Sequence, residues 1–213
     1  MIIIVSMDRE TIEKILDILR DTYPDAECAL NHKNAFQLIT AVALSAQTTD
    51  KSVNKVTPAL FEKYPTPGSL ALAKPEEVEE HIRSIGMYKT KSKNIVAMAQ
   101  KLCAEFGGQV PEGYDELVSL PGVGRKTANV VQSVWFKKQR IAVDTHVFRV
   151  SNRIGLAHEK DVLKTEEALM EAIPKHRWSE THHLLIFHGR NLCTARKPKC
   201  LECPMEELCE KNM

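Results

Sequence analysis

The chain has 213 residues, 43% of them hydrophobic, with 29 Lys and Arg set against 28 Asp and Glu. That length is enough to bury a core without disulfide or metal staples, as one domain or two small ones. The formal charge of +1 excludes attraction of an anionic partner by the field of the whole molecule, so any such partner must be met by local basic patches.

At the start of the chain the longest apolar run, "IIIV" at residues 2–5, falls far below the ~18 residues that a membrane span requires. No small-residue cleavage site follows it. The chain therefore reads as soluble, intracellular and free of any membrane partner. Apolar residues then recur at helical spacing: Ile12, Ile15, Leu16 and Leu19; Phe36, Ile39, Val42 and Ala43; Val53, Val56 and Leu60; Ile95, Ala99, Leu102 and Phe106. Asn34 and Gln37 resemble a capping box, Pro75 suits a first helical turn, and Gly107-Gly108 suits a helix C-terminus. Strand-like alternation is nearly absent. The pattern predicts an all-α protein of roughly ten short helices.

Basic residues cluster at Lys89, Lys91 and Lys93, at Arg125 and Lys126, at residues 137–140, and at Arg196, Lys197 and Lys199, and are offset by acidic segments such as "PEEVEE". Each cluster reads either as solvated surface or as an anion contact. The stretch "LPGVGRKTANVV", residues 120–131, sharpens the choice. It lies between helical "YDELVSL" and a helical pattern at Ala128, Val131 and Trp135, which predicts helix, tight turn, helix. Gly122 and Gly124 would let consecutive N–H groups point at an anion, with the positive N-terminus of the next helix behind them. An ordinary helix corner is the alternative. Lys126 falls in the first turn of that helix, where the dipole and Arg125 both disfavour its ammonium form. The position suits a Schiff-base nucleophile or, equally, a lysine that contacts phosphate.

In "IAVDTHVFRVSNRIGL", Asp144 precedes a helix bearing Val147, Val150 and Ile154 and is well placed as its N-cap. A carboxylate held rigid in that way could also accept a proton from a nucleophilic lysine or stabilise positive charge developing on a sugar. In "THHLLIFHGR", His182, His183 and His188 lack the i, i+4 spacing of a helical metal pair and read as ordinary helix histidines.

After about residue 190 the helical pattern gives way to a tail with Cys193, Cys200, Cys203 and Cys209 at the spacing C-x6-C-x2-C-x5-C. An intracellular chain disfavours disulfides, which leaves a four-thiolate metal site as the main reading. Structural zinc draws its ligands as two close pairs, and only Cys200 and Cys203 form one; an iron-sulfur cluster accommodates the uneven spacing more easily, without the spacing fixing its type. Cys28 and Cys103 read as small buried apolar residues.

With the hairpin, the lysine, the aspartate and the cysteine tail in place, the chain resembles the endonuclease III family of helix-hairpin-helix DNA glycosylases over nearly its whole length. "LSAQTTD" (residues 44–50), "LPGVGRKTANVV", "IAVDTHVFRV", "HGRNLC" and the four-cysteine spacing stand in that family's order. The resemblance implies two all-α lobes: a six-helix barrel lobe over residues 28–138, and a cluster lobe combining residues 1–27 with 139–213. It implies a 4Fe-4S cluster on the four cysteines, structural and DNA-orienting, with Arg196, Lys197 and Lys199 presented to DNA phosphates and the duplex lying across the groove between the lobes. DNA contacts are implied as well for Gln47, Asp50, Met87, Leu120, Gly122, Val123, Gly124, Arg125 and His146.

The implied activity is base excision repair by a monomeric, cytoplasmic, nucleoid-associated bifunctional glycosylase and AP lyase. Its partner would be duplex DNA carrying damaged pyrimidines or abasic sites. Lys126 would attack the sugar C1′ of a flipped damaged pyrimidine, with Asp144 assisting, and β-elimination would then nick the strand. Two departures stand out. The intercalating residue, commonly leucine in "SIGLY", is Met87 in "SIGMY", and "FKKQR" (residues 136–140) lacks a glycine often found there. Met87 could instead pack in the core of its helix pair. An adenine-specific mismatch glycosylase shares the fold but lacks the lysine and carries a further C-terminal domain, whereas here Lys126 is present and the chain ends four residues after Cys209. A non-catalytic DNA-binding or electron-transfer iron-sulfur protein would not need Lys126 with Asp144.

Overall fold

The computed structural model describes residues 7–212, so the apolar run at residues 2–5 lies outside the described residues. The described chain is all-helical, as the periodicity predicts. Its eleven α-helices are α1 (Arg9–Thr22), α2 (Ala35–Leu44), α3 (Asp50–Lys63), α4 (Pro67–Ala71), α5 (Pro75–Ile82), α6 (Tyr88–Glu105), α7 (Tyr114–Val118), α8 (Arg125–Val134), α9 (Thr145–Ile154), α10 (Val162–Ala172) and α11 (Trp178–Asn191). Short 3-10 turns occupy Lys175–Arg177 and Cys200–Glu202. Among the described residues no helix is long and apolar enough to cross a membrane.

The punctuation works largely as expected. Asn34 caps α2 by accepting from the Gln37 N–H at 2.9 Å, but the Gln37 side chain accepts from the N–H of Lys33, not from that of Asn34. The expected capping box is therefore displaced by one residue. Pro75 opens α5, where its missing N–H would have had no partner. Beyond α6, Gly107 and Gly108 take φ of +59° and +76°, and the Gly108 N–H returns 2.9 Å to the Leu102 carbonyl, closing the helix end.

The chain divides into two compact units. One is Cys28–Lys137, containing α2 to α8. Its central element is α2, buried at eight of its ten residues and packed on α3, α6 and α8; a helix apolar on every side belongs inside. Lys138 belongs with the second unit, where its carbonyl accepts from the Ser179 hydroxyl at 3.0 Å.

The second unit joins α1 to α9, α10 and α11. Ile15, Leu16 and Leu19 of α1 share a core with Val147, Val150 and Ile154 of α9 and with Leu184 and Leu185 of α11. Each such side chain contributes about 1.5–3 kcal/mol on burial. A polar tie adds direction: the buried Arg177 guanidinium reaches Glu13 at 3.1 Å, Asp17 at 2.8 Å and Glu180 at 3.2 Å. A buried cation is tolerable only when paired in this way.

Candidate active site and metal centre

Within the first unit the hairpin has the predicted form, α7, a tight turn and α8. The turn closes with the Val123 N–H on the Leu120 carbonyl at 3.1 Å, and both side chains are buried. Leu120 and Val123 therefore anchor the hairpin from inside, and any DNA contact they make is through backbone. The two glycines have different reasons. Gly122 has φ +76°, and a Cβ there would sit 2.9 Å from the Asn94 Cβ, so both torsion and close approach exclude a side chain. Gly124 needs no unusual torsion: it is the N-cap of α8 in an extended conformation (φ −96°, ψ 179°) that any residue adopts, and its Cβ would meet nothing within 4 Å. What its missing side chain leaves is open space in front of a helix N-terminus.

That terminus, like the start of α6, has neither a side-chain cap nor an acidic first turn. Asp8, Asn34, Thr49, Thr66, Asp144 and Asp161, by contrast, cap their helices with side-chain oxygens. Arg125 and Lys126 are its first two residues, both exposed, with Arg125 lying 5.9 Å above the Tyr114 ring of α7. Uncapped N–H groups, a positive dipole end and two cations attract an anion.

Two further loops of this unit carry sequence-predicted residues. Gln47 and Met87 are both exposed and both hold left-handed backbone, with φ of 52° and 56°. Left-handed residues other than glycine cost about 1–2 kcal/mol each, and such positions concentrate at functional sites. Met87 is 50% exposed at the N-cap of α6, which rules out the alternative that it packs in the core. Asp50 opens α3 behind the Thr49 cap and is half-buried. The cluster Lys89, Lys91 and Lys93 is not one solvated patch. Lys91 is buried, donates to the Thr48 hydroxyl at 2.7 Å, and is pushed below the usual lysine range by burial. Helical spacing from Ile95 and Met98, both buried, could have shown which way it points.

In the second unit Asp144 caps α9, its Oδ1 accepting from the N–H groups of His146 and Val147, each at 2.8 Å. Both cap bonds use that one oxygen, so Oδ2 takes no part in holding the helix. His146 is half-buried with Nδ1 3.2 Å from Arg149, and burial holds it below the usual imidazole range. Gly189 of "HGRNLC" has a packing reason, since a Cβ there would come within about 3 Å of Arg149, Val150 and His146.

The same helix face reaches the cysteine tail. Arg149 donates to the carbonyls of Gly189 and Cys193, and Arg153, one turn on, donates to those of Thr194 and Ala195. Sequence reading missed both arginines, although their i, i+4 spacing places them on one face. They hold the start of the loop that exposes Arg196 and Lys197; Lys199 is exposed too, 3.7 Å from Glu202.

Cys193, Cys200, Cys203 and Cys209 line a single cavity. Among the described residues no group of three or more Cys, His, Asp or Glu converges closely enough for one metal ion. Four cysteines around one cavity fit a four-iron cluster with one thiolate per iron. Burial pushes the Cys203 and Cys209 thiols up, and the other thiols push further the same way, so four thiolates there require a cationic occupant. His188, expected to be an ordinary helix histidine, lines this cavity, with Nε2 3.7 Å from the Cys203 sulfur and Nδ1 3.1 Å from the Tyr23 hydroxyl. Burial pushes it down to about 4, so the ring is neutral at pH 7. Cys28 is half-buried and Cys103 exposed, against the expectation that both are buried.

Comparison with known proteins agrees with this geometry. Residues 40–175 match the model of the HhH-GPD superfamily base excision DNA repair proteins, and residues 193–209 match the iron-sulfur binding domain of endonuclease III. Endonuclease III of Bacillus subtilis (strain 168) is 52% identical over 97% of this chain and 94% of its own length. Endonuclease III of Escherichia coli (strain K12) is 45% identical over 92% and 93%. The structure of a trapped endonuclease III-DNA covalent intermediate superposes with a TM-score of 0.92 at 50% identity, covering 96% of this chain and 97% of that one. A thermostable thymine-DNA glycosylase, 22% identical with a TM-score of 0.86, shares the fold. These matches span both the glycine hairpin and the four cysteines, and the chain belongs to the endonuclease III family of the HhH-GPD superfamily.

Proposed function

We propose that Lys126 and Asp144 are the catalytic residues with which this chain, a base-excision-repair DNA glycosylase and AP lyase, removes damaged pyrimidines and nicks the abasic site. The observation that carries the reading is the exposed Lys126 in the first turn of α8, at a terminus that no side chain caps. The relative caught as a covalent intermediate with DNA supports a nucleophilic mechanism.

Duplex DNA with a damaged pyrimidine or an abasic site is the partner, and a monomer is the acting form. The hairpin backbone and Arg125 take phosphate oxygens, Arg196 and Lys197 add contacts from the cysteine loop, and Gln47 and Met87 fill the gap left by the extruded nucleotide. The Lys126 Nζ lone pair attacks C1′, the C1′–N bond breaks, and the departing base takes a proton. Asp144 balances the charge developing on the sugar and accepts the proton that the new amine linkage loses. The sugar ring then opens as the C1′–O4′ bond breaks and O4′ takes the proton that Asp144 accepted, and the resulting Schiff base acidifies the neighbouring C2′ proton. Its removal expels the 3′ phosphate, and hydrolysis of the imine frees Lys126. Cys193, Cys200, Cys203 and Cys209 would hold a 4Fe-4S cluster, which would tie the tail together and orient its basic loop.

Borohydride reduction tests the assignment. Wild type becomes covalently linked to a strand with an abasic site, whereas Lys126→Gln binds the duplex but neither cross-links, excises nor nicks. A cross-link in the Gln variant would identify another amine as the nucleophile.

A further inference from the structure

Gln47 and Met87 lie on loops 40 residues apart in sequence, yet one buried side chain joins them. Lys91 lies one turn into α6, and its N–H donates to the Met87 carbonyl at 3.0 Å in the first bond of that helix. Its ammonium runs back to donate to the Thr48 hydroxyl at 2.7 Å, directly after Gln47. Thr48 is itself held in its turn by its N–H on the Ser45 carbonyl at 3.0 Å. At 5% exposure Lys91 cannot reach a phosphate at the surface, unlike the exposed Lys89 and Lys93 beside it. A buried ammonium bound to a neutral hydroxyl is a poor way to stabilise a core, because an apolar chain of the same length avoids the desolvation altogether.

We propose that Lys91 is a positioning residue for base extrusion: its bond to Thr48 clamps the Gln47 loop to the Met87 loop, so that both side chains stand ready as one unit before DNA arrives. The inference rests on the gap-filling roles given above to Gln47 and Met87. Both residues are in left-handed backbone, a conformation that a free loop leaves readily and that must be over-determined to persist. Lys91 supplies that determination at both loops, through its main chain at Met87 and its side chain at Gln47. Insertion into the stack then costs less ordering.

The experiment uses the holoenzyme and single-turnover rates on two duplexes, one with a damaged pyrimidine and one with a preformed abasic site, alongside thermal melts. Lys91→Met keeps length and apolar bulk and should melt no earlier than wild type, yet slow excision of the damaged base about tenfold while changing nicking at the abasic site less than about twofold, the worth of one charged hydrogen bond. Thr48→Val should reproduce the selective loss, and the double variant should be no slower than either single one, because the two changes remove the same bond. Lys91→Arg, which can still donate, should recover most of the rate. A fluorescent base analogue beside the lesion should report slower unstacking in Lys91→Met and Thr48→Val. Equal slowing on both duplexes in step with a lowered melting temperature would reduce Lys91 to a fold-stabilising residue and overturn the proposal, as would an unchanged rate. Met87→Ala measured in parallel separates the two readings. If it is slow on the damaged duplex while Lys91→Met is not, the clamp alone fails; if it too is at full rate, the gap-filling reading fails and takes the clamp with it.

Discussion

Replacing each hairpin glycine by alanine separates what the turn needs in order to fold from what it needs in order to bind. At Gly122 the added methyl meets two obstacles. The φ of +76° costs an L-residue about 1–2 kcal/mol. The new Cβ lies 2.9 Å from the Asn94 Cβ, an atom fixed to the α6 backbone that cannot swing aside, and overpacking of that kind costs about 1–3 kcal/mol. Stiffening of the unfolded chain returns only about 0.4–1 kcal/mol. The net loss is about 1–4.5 kcal/mol, which for a chain of this size lowers the melting temperature by roughly 2–18 °C. At Gly124 neither obstacle exists, since the backbone is extended and the Cβ position is open. Loss of a glycine N-cap and the stiffer unfolded chain nearly cancel, leaving stability within about 1 kcal/mol of wild type. The methyl would, however, project into the space of the proposed phosphate site, and binding should weaken about tenfold or more, at least 1.4 kcal/mol. Thermal melts and fluorescence anisotropy with a duplex carrying a non-cleavable abasic analogue, at one fixed salt concentration, give both numbers. Gly124→Ala binding at full affinity would refute the hairpin backbone as the phosphate site, and Gly122→Ala melting like wild type would refute the close-approach argument.

Asp144→Asn keeps an oxygen for the His146 and Val147 N–H groups and should melt within a few degrees of wild type, yet lose most excision activity; a fully active, stable variant would leave Asp144 as a cap alone. Purified without chelator, the protein should be yellow-brown with roughly four irons per chain, and metal analysis finding one zinc instead would remove the cluster while leaving the glycosylase assignment standing.

Helix content, the hairpin, the Asp144 cap and the cysteine set were legible in the sequence because each rests on local rules. The apolar stripe of α1 at Ile12, Ile15, Leu16 and Leu19 states its buried face through spacing alone, and all four residues are buried. A glycine pair between helical patterns announces a turn, and four closely spaced cysteines announce a shared ligand. The hairpin's two glycines could not be told apart in this way. The left-handed torsion and the approach of Asn94, from a helix that ended nearly twenty residues before, together make Gly122 obligatory, while Gly124 is free to be another residue as far as folding goes.

Charge was the least legible property, because a sequence shows that a residue is charged and not where its charge is spent. Lys91 sits among surface lysines in the sequence and is buried against Thr48 in the fold; Arg177 reads as one more cation and is the buried tie of α1 to α11. Arg149 and Arg153 read as the polar face of α9, and only the return of residues 189–195 to that face turns them into clamps on the cysteine loop. The local pattern determined the elements and the chemistry they can carry, since propensity, capping and spacing act within a few residues. Tertiary structure decided which polar groups left water and with which partners, because desolvation depends on neighbours brought together from distant parts of the chain.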